Sequence, residues 1–241
     1  MFCTSSKKNR SSGVVAASIV ALLAALAGCD SASDDLPAEE ETRSAPSAES
    51  DVSPTGQVAY ACALVQGIEG DPSTWSTFVG QDADEGVLEL SAAASLLGGS
   101  AAYTLADYPD LSAHAAGVFQ SLMTADQDLM AAEFAGLVTS CEDAPSADDA
   151  DITATGRMAY ACGLANYVLD ERGDVGTWGG IGEGPAWHEA ASVGALVGAM
   201  IGYPGDDPRT KDGIAIVGAV SQMNFTALQE SLDAFVADCE D

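Results

Sequence analysis

Apolar residues recur at helical spacing along this chain, and they do so twice. Val58, Ala61, Cys62, Val65 and Ile68 form one stripe, and Met158, Ala161, Cys162, Ala165 and Val168 repeat it a hundred residues on. A second stripe, Met130, Phe134, Leu137, Val138 and Cys141, stands at i, i+4, i+7, i+8 and i+11, and Leu228, Leu232, Phe235, Val236 and Cys239 repeat that one. Between these ends the pattern predicts two more helices in each half, near residues 87–103 and 112–123 and near 187–201 and 212–223. Ser53 before Pro54 offers an N-cap and a first helical residue, Thr153 takes the cap position in the second half, and Thr124 with Gln127 resembles a capping box. Strand alternation is nearly absent, so the predicted class is all-α.

The repetition extends to residue identity. TGQVAYACAL at 55–64 returns as TGRMAYACGL at 155–164 with seven identities in ten, and LVTSCED at 137–143 lies over FVADCED at 235–241. Leu96, Gly98 and Tyr103 fall on Leu196, Gly198 and Tyr203. The expectation is a tandem duplication of a small helical bundle, with units at 54–143 and 154–241 and a linker at 144–153. Each unit holds one cysteine near its start and one near its end. Four cysteines allow three pairings, and spacing alone does not choose among them. Repetition does: a single ancestral unit would already contain a complete bridge, which pairs Cys62 with Cys141 and Cys162 with Cys239.

The chain opens differently. Lys7, Lys8 and Arg10 precede an apolar run of 13 residues at 14–26, too short to be an ordinary spanning helix. The run closes on Leu26, Ala27, Gly28 and Cys29, a tetrapeptide that resembles the lipobox of bacterial lipoprotein precursors. The resemblance covers only these first 29 residues. It implies that 1–28 is a signal peptide, that the Cys29 thiol receives diacylglycerol, and that the protein is anchored to the cell membrane facing the extracytoplasmic side. Exported chains with an even set of remaining cysteines form disulfides. Residues 29–53 carry eight acids, one cation (Arg43) and no apolar periodicity, which reads as a disordered tether with a reach of about 25–30 Å.

Composition narrows the function. Of 241 residues, 44 are Ala and 25 are Gly, so large packing side chains are scarce. Eight Lys plus Arg against 37 Asp plus Glu gives a net charge of −29, a field that repels phosphate backbones, and nucleic-acid binding is not expected. Only two histidines exist, His114 and His188, and they do not fall on equivalent repeat positions. With the cysteines paired, no zinc site or other metal site is expected, and no cofactor. Asp82, Asp84 and Glu85 precede Gly86, but the spacing departs from an EF-hand at positions 1, 3 and 12. Ser100 follows Gly98 and Gly99 in a sequence short of a nucleophile elbow and reads as a mid-helix serine. Small residues four apart, at Ala94, Gly98 and Ala102 and at Gly194, Gly198 and Gly202, read as close helix packing.

The repeated aromatic residues Trp75 and Trp178, Tyr60 and Tyr160, and Tyr103 and Tyr203 are the candidate lining of an apolar pocket between helices. The functional expectation is a lipid-anchored binding or interaction module of the cell envelope, with a protein or cationic partner and no reaction implied. A carrier of a small apolar or cationic ligand is the alternative, and a hydrolase with an unrecognised site the second.

Overall fold

In the computed structural model, eight helices organise the described residues, which are 51–75, 84–147, 149–179, 184–198 and 207–240, with 85 and 101–106 described in backbone only. They are α1 (Pro54–Gly67), α2 (Glu85–Asp107), α3 (Pro109–Thr124), α4 (Gln127–Cys141), α5 (Ala154–Arg172), α6 (Pro185–Gly198), α7 (Pro208–Ser221) and α8 (Phe225–Cys239). No strand occurs among the described residues. Nor is any described helix long and apolar enough to cross a membrane.

Local chemistry sets the boundaries. The Ser53 hydroxyl accepts from the Gly56 amide at 3.2 Å and Thr153 accepts from Gly156 at 3.3 Å, so both first helices start at their expected caps. The third helix of the first half begins at Pro109, ahead of the expected start near 112, because proline at the first helical position has a preset φ and no amide to satisfy. The expected capping box at Thr124 and Gln127 does not form. Ala125 leaves α3 in the left-handed region (φ 52°), which makes Asp126 the cap of α4, its carboxylate accepting from the Leu129 amide at 3.0 Å. Thr124 turns back to the Gln120 carbonyl, and the Gln127 amide donates to the Trp75 carbonyl. The α7–α8 turn has the same form, with Met223 at φ 54° and Asn224 capping Ala227 at 3.1 Å.

Within α1–α4, and again within α5–α8, consecutive helices pack on one another and the first meets the last. Disulfides fasten these ends, Cys62 to Cys141 with a Cα separation of 5.4 Å and Cys162 to Cys239 with 5.7 Å. Closing loops of 79 and 77 residues stabilises each group by about 4–5 kcal/mol in the chain-entropy account. The two groups share one core through α2 and α6. Small residues permit the approach: a Cβ at Gly99 would stand 3.1 Å from Glu189 Cγ, and one at Gly98 would stand 3.2 Å from His188 Nδ1. Gly194 likewise faces the Gly213 carbonyl of α7, whereas Gly198 has open space and Gly202 lies outside the described residues.

The two stretches that precede α1 and α5 differ from the expected tether and linker. Asp51, Val52 and Ser53 are fastened to the body, Val52 beside Gly163 of α5. Ile152, in the expected linker, lies against Gly67 of α1. Both carry a branched apolar side chain that gains burial by covering a glycine on the opposite group.

Candidate functional site

The richest chemistry lies where the two helix groups meet. Tyr60 on α1 and Tyr160 on α5 stack with ring centroids 3.7 Å apart and planes within 10°. Each hydroxyl reaches the strand of chain ahead of the other group: Tyr60 donates to the Asp151 carbonyl at 3.0 Å and Tyr160 to the Asp51 carbonyl at 3.4 Å. Burial holds both phenols in their neutral, donating form by raising their pKa well above 10.

Two polar crossings flank the stack. Gln57 of α1 donates to Glu189 of α6 at 3.2 Å, and Arg157 of α5 donates to Glu89 of α2 at 2.6 Å. Glu189 is wholly buried and accepts two further bonds, from Arg172 Nε at 2.9 Å and Nη2 at 3.0 Å, while Arg172 also lies over the Tyr167 ring. Three donors on one buried carboxylate satisfy a charge that would otherwise be costly to desolvate. Beside it His188 is held below its ordinary pKa of 6.5, first by burial, with the Glu189 charge opposing. Its imidazole is neutral at pH 7. Sequence reading missed Gln57, Arg157, Glu89 and Glu189. The signal was present, since the repeat offset places Gln57 on Arg157 and Glu89 on Glu189.

The aromatic residues expected around a pocket are not brought together as one. Trp75 packs on Phe134, with centroids 6.3 Å apart. Trp178 packs edge-on against Trp187 at 5.8 Å, and its indole donates to the Arg172 and Gly173 carbonyls. Trp187 in turn meets Phe225 at 5.1 Å. The four described members of the set therefore serve ring-on-ring packing: Tyr60 and Tyr160 lie face to face, Trp75 is tilted against Phe134 and Trp178 meets Trp187 edge-on. Tyr103 is described in backbone only, and Tyr203 and Cys29 lie outside the described residues. A hollow of about 330 Å³ lies between α1 and the segment ahead of α5, lined by Cys62, Ala63, Gln66, Gly67, Ser146 and Ile152 among others.

Elsewhere His114 pairs with Glu133 at 2.7 Å across α3 and α4, and Ser100 donates to the Leu96 carbonyl at 3.0 Å within α2. Among the described residues no three His, Cys, Asp or Glu side chains converge as a metal site. No family model, curated protein or solved structure matches the chain.

Proposed function

We propose that this chain is an exported, lipid-anchored interaction module of the bacterial cell envelope, built by tandem duplication of a disulfide-stapled helical bundle. The observation that carries the location is Cys29 directly after Leu26, Ala27 and Gly28, at the end of a cationic then apolar leader. Two disulfides support an oxidising compartment. Duplication draws support from the paired crossings: Tyr60 to Asp151 with Tyr160 to Asp51, and Gln57 to Glu189 with Arg157 to Glu89, each relating positions a hundred residues apart. A gene fusion of two dimerising copies produces such reciprocity.

The interaction role rests on what the surface offers. Residues 55–143 hold 13 acids and neither Lys nor Arg, so the first helix group presents a field that favours a cationic face on a protein partner. A carrier role has one observation in its favour, the hollow of about 330 Å³ beside α1. Native mass spectrometry of the unreduced chain from residue 30, purified from an oxidising host, separates the two. A bare mass that gains a protein partner from envelope extract through salt-sensitive binding is the expected result. A small-molecule adduct that survives gentle desolvation and is lost on denaturation replaces this reading with the carrier.

A further inference from the structure

The two disulfides form a controlled comparison inside one molecule. Each joins the first helix of its group to the last, the loops are of nearly equal length (79 and 77), and both later cysteines are followed by Glu then Asp. Asp238 stands before Cys239 where Ser140 stands before Cys141, a charge that slows rather than favours an incoming thiolate, and chain entropy treats the two bridges alike. Access does not. Cys62 and Cys141 are 2% and 3% exposed, and Ser146, Ala147 and Ile152 line the hollow beside Cys62 with it. Cys162 and Cys239 are both partly exposed.

Thiol–disulfide exchange requires a thiolate to reach one of the two sulfurs, so access governs which bridge reacts. We propose that Cys162–Cys239 is an exchange site for a protein dithiol of the Cys-X-X-Cys class, while Cys62–Cys141 is a protected structural bridge. The attacking thiolate bonds to one sulfur of the pair as the Cys162–Cys239 bond breaks and the other sulfur leaves as thiolate. The second thiol of the same partner then displaces the mixed disulfide. Two electrons pass from the dithiol, which becomes a disulfide, and its two protons end on Cys162 and Cys239.

Opening this bridge does not unfold its group. Leu228, Leu232 and Phe235 of α8 are fully buried upstream of Cys239 and keep the helix seated. What is released is the final turn of α8 from the face of α5. Such a bridge makes one helix end responsive to the envelope's thiol carriers while the first group stays locked.

The test treats the folded, fully oxidised chain with reduced thioredoxin, traps free thiols by alkylation over time, and assigns them by peptide mass. The expected result is labelling of Cys162 and Cys239 at least about tenfold faster than of Cys62 and Cys141. Equal rates, earlier labelling of Cys62 and Cys141, or no labelling of either pair without denaturant would each overturn the proposal. Amide exchange on the product supplies a second reading. The largest rise in exchange is expected in the last turn of α8 and the facing turn of α5, above a smaller general rise in α5–α8 from the lost loop constraint, and a rise no larger at that turn than elsewhere contradicts the local release.

Discussion

Glu189 shows how a single residue joins the two helix groups. Its carboxylate is wholly buried, takes two bonds from Arg172 in its own group and one from Gln57 in the other, and sits where Gly99 leaves room for it. Removing one partner of a buried pair leaves the other charge stranded, so Glu189→Ala is expected to cost about 3–5 kcal/mol in urea unfolding. Glu89→Ala should cost at least as much, because the Arg157 side chain it strands is only 8% exposed, against 18% for the Arg172 that Glu189→Ala leaves behind. His188 adds a pH dependence. Its folded pKa lies below 6.5, so the unfolded chain binds the proton more tightly, and stability falls as pH drops below 6.5 toward the folded value. His188→Leu, which copies the Leu88 of the first group, should flatten the change in unfolding midpoint between pH 7.5 and pH 5. Asp212 acts in the opposite sense: burial and the neighbouring Asp238 raise its pKa, so its contribution is present when protonated and fades as pH rises through the raised value. A curve unchanged by His188→Leu would remove that histidine from the account.

At the scale of elements, the two helix-ending turns are the informative ones. Ala125 and Met223 hold left-handed φ values of 52° and 54°, a conformation that glycine adopts without the Cβ clash. Ala125→Gly and Met223→Gly should each raise stability by about 0.5–1 kcal/mol, read as a higher midpoint at constant m-value. The α1, α4, α5 and α8 stripes were legible in the sequence because their large apolar residues and cysteines sit on one face. The start of α3 was not, since the apolar pattern begins at Leu111 while the chain turns at Pro109. The cap of α4 was misplaced because Thr124 and Gln127 match a capping box in spacing, and nothing in that spacing announces the left-handed Ala125. Helix α2 is buried along Ala92, Ala93, Ala94, Leu96 and Leu97, so it lacks a polar face to mark its register. The tyrosines were singled out, but periodicity within one helix group cannot show that the partner of each ring lies in the other. The same limit hid Gln57, Arg157, Glu89 and Glu189, whose bonds cross between groups.

For the whole molecule, the charge and the proposed attachment each carry a prediction. Residues 51–241 hold 30 Asp plus Glu against four Lys plus Arg, a charge of −26, and on a body whose halves meet through α2 and α6 this adds self-repulsion across that contact. Raising ionic strength from about 0.01 to about 0.15 M shortens the screening length from about 30 to about 8 Å, and the melting temperature should rise with it. A melting temperature that falls over that range would show that attractive surface pairs, not repulsion, dominate. The proposed attachment meets the body at a defined place. Asp51 and Val52 are held by Tyr160 and α5, so a lipid anchor at Cys29 would pull on the junction of the two groups rather than on a loose end. The central claim, display from a membrane through Cys29, is tested most directly by the mass of the N-terminal peptide of the protein extracted from the membranes of a bacterial host. The account predicts a peptide that begins at Cys29 and carries a diacylglyceryl thioether. An unmodified Cys29 inside an intact leader, or a leader cleaved elsewhere, would contradict it.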